Sequence, residues 1–141
     1  MLSDTKLLQQ FEDLSLSPEQ FAHSEHLRLA WIICGLHRLE NAIDRFVGGL
    51  KRFAGNAGMP DLYHETVTLF YLYEIYARRQ LLPADHNWAM FRSSNPDLFT
   101  SHREFIQKSY PEELLQTQTA KRHFIPPGLS RIANSGFKAA Q

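Results

Sequence analysis

The sequence predicts an all-α fold: a single-domain bundle of five to seven helices followed by an irregular C-terminal arm. Apolar residues recur every three or four positions through most of the chain, which is the period of an amphipathic helix. Serine, proline and glycine residues interrupt this pattern as they do at helix ends. With 141 residues, of which 43% are hydrophobic, the chain suffices for one core and is short for two domains. We therefore predict one helical domain over residues 1–141, with residues 119–141 as the arm that packs on the body.

The first half of the chain contains three predicted helices. The first spans residues 4–14, where leucine and phenylalanine side chains fall on one stripe. Ser17, followed by Pro18 and Gln20, matches the start of a helical turn, because serine caps the turn and proline fits its first position. The next two predicted helices span residues 24–38, with Ser24 as the N-cap, and residues 39–54.

The second half begins with a connection over residues 55–61 and a long helix near 63–81. The interior of this helix is apolar on most sides, so we expect it to be the central, buried helix of the bundle. Its β-branched and aromatic residues leave a strand as the local alternative, but its length and its lack of strict alternation favour a helix. Further helices are predicted over residues 85–92 and 95–108, and a last helix is predicted to start at residues 111–115.

Small residues within the apolar segments are expected to serve packing. Cys34 lies in an apolar run and has no cysteine partner in the sequence, so we predict a buried thiol and a reducing compartment. A catalytic thiol would need an exposed, electropositive setting instead. The pair Gly48-Gly49 weakens the third predicted helix and indicates a close approach between helices or a kink rather than a phosphate-binding loop.

Overall charge and hydropathy argue against two classes of partner. Fifteen basic residues balance fifteen acidic ones, whereas a dedicated nucleic-acid-binding domain is normally basic. The longest nearly apolar stretch covers residues 29–36, and a membrane-spanning helix needs about 20 residues. We therefore expect neither nucleic acid nor membrane as a partner, and a cytoplasmic location.

Two histidine motifs are the strongest candidates for a functional site. His23 and His26 are three residues apart, so on a helix their imidazoles lie on the same face. His64 precedes Glu65 at the start of the long apolar helix. Three histidines from two helices could hold a divalent metal ion such as zinc, iron or manganese. The alternative is that these histidines bond buried backbone groups and fix helix ends.

Other polar residues near these motifs are candidates for supporting roles. Successive helical residues point about 100° apart, so we predict that Glu65 does not share one ion with His64. It would instead act as a helix-start carboxylate, or as an acceptor that orients an imidazole or an arginine such as Arg28. Tyr63 and Thr68 are further candidates for ligand contacts. A metalloprotease H-E-x-x-H motif is absent because residue 68 is threonine. In the arm, Lys121 and Arg122 either bind phosphate or form a solvated surface.

The two histidine motifs also carry a family resemblance, with looser support from the C-terminal part of the chain. The matching residues read F-x-H-x-x-H-L-x-x-A-W from Phe21 to Trp31 and Y-H-E-T-x-T from Tyr63 to Thr68. In this combination the chain resembles a family of small bacterial all-helical proteins over roughly residues 10–130. The resemblance implies a single helical domain in which His23, His26, His64 and Glu65 are motif positions. It implies no substrate.

The sequence thus supports two functional hypotheses. In the first, the protein binds a metal ion or a small-molecule ligand at the histidine motifs, and whether it is an enzyme stays open. In the second, it is a protein-interaction module in which the histidines are purely structural. The oligomeric state is left open, a homodimer included.

Overall fold

The computed structural model describes residues 1–128, and within this range the all-α prediction is confirmed, with helices and no strand. It contains eight α-helices: α1 (Asp4–Glu12), α2 (His23–Leu36), α3 (Leu39–Asn56), α4 (Glu65–Arg79), α5 (Trp88–Ser94), α6 (His102–Gln107), α7 (Glu112–Leu115) and α8 (Gln118–Arg122). Three short 3₁₀ turns cover Pro18–Gln20, Pro60–Leu62 and Pro96–Phe99. The count exceeds the predicted five to seven because the C-terminal half is divided into short helices.

Local capping explains several helix ends. The predicted turn after Ser17 is confirmed as a capping box: the Ser17 hydroxyl accepts from the Gln20 backbone N–H, and the Gln20 side chain accepts from the Ser17 N–H. The predicted cap at Ser24 is wrong, because α2 begins one residue earlier with Ala22 as its N-cap. Both His23 and His26 therefore lie in the first turns of α2.

The two central helices are α2 and α4, which share the most extensive helix–helix contact. The helix that is buried on all sides is α2, where the eight residues from Leu27 to Cys34 are all buried. The prediction that α4 is a central helix is confirmed, but its burial is incomplete, since Tyr73 on its outer face is 40% exposed. The cysteine prediction is confirmed, because Cys34 is a buried free thiol. Burial raises the pKa of this thiol to about 12.

The helix α3 packs against α1, α2 and α4. Its close approach to α1 depends on Gly49, as a Cβ atom there would collide with the Phe11 ring. The predicted close approach at the glycine pair is therefore confirmed for Gly49. The stacked Phe11 and Phe53 rings, 6.1 Å apart, lie in the same region.

The first turn of α4 is fastened to the end of the described chain. The buried Thr66 hydroxyl lies 2.7 Å from the Ala120 carbonyl oxygen and 2.9 Å from that of His123. It also accepts from the Ile125 N–H at 3.2 Å. These bonds position α8 against α4, so the arm predicted from residue 119 begins as a helix, which is followed by an irregular stretch over residues 123–126. Residues 129–141 of the predicted arm lie outside the described residues.

Two other predicted helices have different bounds. The helix predicted over 95–108 is divided into the Pro96–Phe99 turn and α6, because the chain leaves helical geometry at Thr100 and Ser101. The long helix predicted near 63–81 begins only at Glu65, after the cap residue His64. Among the described residues, no helix combines the length and the apolar character that crossing a bilayer requires.

Candidate functional site

A cavity of about 540 Å³, here called the outer cavity, opens between α2, α3 and α4. Its walls are mostly apolar and come from α3 and from the chain around the Pro60–Leu62 turn, as with Phe53 and Leu62. Its polar lining is concentrated in histidine side chains and in Thr68. The polar lining residues include His23, His26, His64, Thr68 and His102.

A smaller inner chamber of about 80 Å³ continues from the outer cavity towards the core. Ala30, Tyr71 and Ile75 lie at this inner end. The side chains that line both spaces mark the boundary between them: His23, His26, Leu50, Val67, Thr68 and His102. Three imidazoles, those of His23, His26 and His102, therefore border both spaces.

His23 and His102 pack against each other beside both spaces, with ring centroids 5.0 Å apart. His23 lies at the start of α2 and His102 at the start of α6. The Nε2 atom of His23 is 3.1 Å from the Leu98 carbonyl oxygen. A carbonyl can only accept, so this nitrogen carries the proton in the neutral ring and Nδ1 is left as an acceptor.

Tyr71 holds His102 in place. Its hydroxyl donates to the His102 carbonyl oxygen at 3.1 Å and lies 2.9 Å from the ring Nδ1. With the hydroxyl proton on the carbonyl, His102 Nδ1–H donates to the tyrosine oxygen, which assigns Nε2 of His102 as the unprotonated nitrogen. Burial raises the pKa of Tyr71, so its hydroxyl keeps its proton.

His26 is the most strongly perturbed of the three imidazoles. Its ring stacks on Phe21, with centroids 3.7 Å apart and planes 15° apart. Burial, with added repulsion from His23 and His102, lowers the pKa of His26 to about 4. Burial likewise lowers the pKa of His23 and of His102. All three rings are therefore neutral at pH 7.

Neutral imidazoles give this cluster a defined chemistry. Each ring offers one donor and one acceptor nitrogen. The donor nitrogens of His23 and His102 already bond Leu98 and Tyr71, so their free nitrogens can accept a hydrogen bond from an uncharged group such as a hydroxyl.

His64 lines the outer cavity, but both of its ring nitrogens bond the backbone. Nδ1 accepts from the Val67 N–H at 3.2 Å and caps α4. Nε2 donates to the Leu115 carbonyl oxygen at 2.7 Å. This ring therefore fixes the start of α4 relative to α7, as the structural alternative for the histidines requires.

Of the four predicted supporting residues, two line the outer cavity, a third bonds one of them, and the fourth lies elsewhere. Tyr63 and Thr68 line the outer cavity. Glu65 accepts from the Tyr63 hydroxyl at 2.5 Å, and burial together with this carboxylate raises the pKa of Tyr63. Arg28 is not oriented by Glu65, because its guanidinium donates to Asp4 at 2.7 and 3.1 Å, on the α1 side of α2.

A metal ion at His23, His26 and His64 stays a prediction. In residues 1–128, no three side chains of histidine, cysteine, aspartate or glutamate are arranged to hold one ion. Binding through His64 would require a ring nitrogen to give up a backbone hydrogen bond. The structure instead brings His102 to His23 and His26.

Sequence reasoning missed His102 and Tyr71. His102 lies far along the chain from the first histidine motif, and no spacing rule connects it to that motif. Tyr71 is part of an aromatic run that indicates core packing. The only local signal is Ser101, which caps α6 through the Glu104 N–H and so places His102 at a helix start.

Comparisons with protein-family models, with curated proteins and with solved structures gave no match to this chain. The resemblance to a small bacterial helical family therefore stays a prediction.

Proposed function

We propose that the protein binds a small organic molecule in the outer cavity. The apolar body of the ligand contacts the walls from α3 and α4, and an uncharged polar group reaches the imidazoles of His23, His26 and His102. The observation that carries the proposal is an apolar cavity that ends in three neutral histidines. Its volume of about 540 Å³ lies in the usual range for small-ligand sites, roughly 300–1,000 Å³.

If the protein were instead an interaction module with structural histidines, the core around these histidines would be packed differently. This alternative requires the space around the histidines to be filled by other side chains. The open space beside His23, His26 and His102 favours ligand binding, since neutral polar groups facing an apolar cavity gain hydrogen bonds when a ligand enters. His64 alone fits the structural role, because both of its ring nitrogens bond the backbone although it lines the outer cavity.

The proposal can be tested by filling the cavity. Ala54 lies on α3 and lines the outer cavity, whereas Ala89 is exposed on α5 and lines none of the cavities described. We expect Ala54→Trp to weaken binding of a neutral probe, 1-octanol, about tenfold or more, because the indole occupies the ligand's space. Ala89→Trp should leave it unchanged. Calorimetric titration measures both, and equal affinities in the two variants would overturn the proposal.

The histidine cluster needs its own variant. His102→Phe keeps a ring of similar shape and removes the hydrogen-bonding nitrogens. We expect it to weaken 1-octanol binding about three- to tenfold, the value of one hydrogen bond of about 1 kcal/mol. His123→Phe is the control, because His123 is exposed and lines none of the described cavities. Loss of affinity in both variants, or in neither, would show that the imidazoles do not contact the probe.

A further inference from the structure

A second cleft, here called the basic cleft, lies beside the outer cavity and has a volume of about 470 Å³. It is formed by α3, the Pro60–Leu62 turn and α8. Three of its side chains are cations and one is a carboxylate. The complete lining is Lys51, Pro60, Asp61, Tyr63, Gln118, Lys121 and Arg122. Three positive charges against one negative charge leave the cleft with an excess of two positive charges.

The described ion pairs do not neutralise these three cations, although the Glu65 carboxylate adjoins the cleft through its hydrogen bond to the Tyr63 hydroxyl. Within residues 1–128, the ion pairs use other arginines, and Lys51, Lys121 and Arg122 take part in none. The Lys51 ammonium lies 5.3 Å from the centre of the Tyr63 ring, where the π-face attracts it. Residues 129–141 contain no aspartate or glutamate, so no acidic side chain from there can compensate the cleft.

One side chain is common to the basic cleft and the outer cavity. Tyr63 lines both, and the turn before it divides its neighbours: Asp61 lines the cleft, whereas Leu62 lines the cavity. A single molecule can therefore contact both spaces by passing Tyr63. The two spaces differ in chemistry, because the cavity offers apolar walls and neutral imidazoles and the cleft offers positive charge.

We propose that the ligand of the outer cavity is an organic phosphate whose phosphate group binds in the basic cleft. This inference rests on the proposed function and names the class of its ligand. Arg122 can bind two phosphate oxygens through its planar guanidinium, and Lys51 and Lys121 act as point charges. Three cations suit a phosphate monoester, which carries a charge of about −1.5 to −2 at pH 7, better than a carboxylate with a charge of −1.

Three probes separate the two spaces in calorimetric titrations at pH 7.5. Inorganic phosphate tests the basic cleft alone, 1-octanol tests the outer cavity alone, and octyl phosphate tests both together. We expect octyl phosphate to bind at least tenfold tighter than 1-octanol at low ionic strength. This advantage should shrink in about 0.5 M sodium chloride, since salt screens exposed charges.

A matched pair of lysine variants assigns the phosphate to the cleft. Lys121 lines the cleft, whereas Lys108 is exposed, lies at the end of α6 and lines none of the described cavities. Each change to glutamine removes one positive charge from the protein. We expect Lys121→Gln to weaken octyl phosphate about tenfold and to leave 1-octanol unchanged, and Lys108→Gln to change neither by more than twofold.

The outcomes distinguish this inference from the proposed function. If 1-octanol binds in the cavity but octyl phosphate gains nothing over it, the phosphate inference is overturned and the proposed function stands. Equal weakening of octyl phosphate by the two lysine variants also overturns the inference, because it indicates attraction by net charge alone. If 1-octanol does not bind the unmodified protein, the proposed function fails, whatever inorganic phosphate does.

Discussion

Replacing Thr66 by valine should destabilise the protein strongly without leaving a cavity. Valine has nearly the same shape as threonine, so the change removes the hydroxyl alone. That hydroxyl accepts from the Ile125 N–H and donates to a carbonyl oxygen, either of Ala120 or of His123. Each of the two lost hydrogen bonds contributes about 1 kcal/mol, and the partners left unbonded add a further cost. We therefore expect the free energy of unfolding to fall by about 2–4 kcal/mol.

Urea denaturation measures this loss, and two variants act as controls. Thr66→Ser keeps the hydroxyl and should lose only about 1 kcal/mol, the value of one buried methyl group. Thr119→Val changes an exposed threonine and should stay within about 0.5 kcal/mol of the parent protein. If Thr66→Val were no less stable than Thr119→Val, the Thr66 hydroxyl would not fasten the C-terminal segment, and the reasoning would be refuted.

Three further predictions concern pH, packing and metal. The free energy of unfolding should fall as the pH drops from about 6.5 to 4, by up to about 3 kcal/mol for His26, whose folded pKa is about 4. Stability falls as the pH drops because the unfolded chain, with the higher histidine pKa, binds the proton first. Urea titrations of His26→Phe should show a clearly weaker pH dependence of stability. An unchanged pH dependence would contradict the lowered pKa of His26. Gly49→Ala should lower the free energy of unfolding by about 1–3 kcal/mol, because the new methyl group collides with Phe11. Gly55→Ala, with open space around it, should raise that free energy by up to about 1 kcal/mol. Thermal melts that rank the two variants the other way would disprove the packing argument. Elemental analysis of protein purified without a histidine tag decides the metal prediction: near-stoichiometric zinc, iron or manganese that His23→Ala removes would support it, and protein left free of metal after incubation with all three ions would end it.

Local chemistry explains why the helices were predictable. The hydrophobic period that places Leu7 and Phe11 on one face of α1 acts over a few residues, and so does the capping box at Ser17. The bounds were less accurate where a side chain from elsewhere decides them. The predicted helix from residue 63 starts at 65 instead, because the His64 ring caps it and bonds Leu115 on α7.

The candidate site was predictable only in part, for a similar reason. The three-residue spacing of His23 and His26 put them on one face of α2, and the structure places both beside the outer cavity. Their third neighbour, His102, lies beside them because α6 packs against Tyr71. The hydrophobic periodicity of the sequence does not predict this contact. Lys121 was expected in an irregular arm, but Thr117 caps a short helix that carries it.

The fastening of α4 to the C-terminal segment has a consequence for how the protein folds. Its hydrogen bonds join residues that are 51, 54, 57 and 59 positions apart in the chain. Contacts between such distant residues form late, because closing a long loop costs conformational entropy before the contact can stabilise the chain. During synthesis, α1 to α4 can leave the ribosome and pack against one another before residues 115–125 have been synthesised. The wall that holds His64 and Tyr63 is then completed last, so a nascent chain passes through a stage with a helical core and an unfinished cavity.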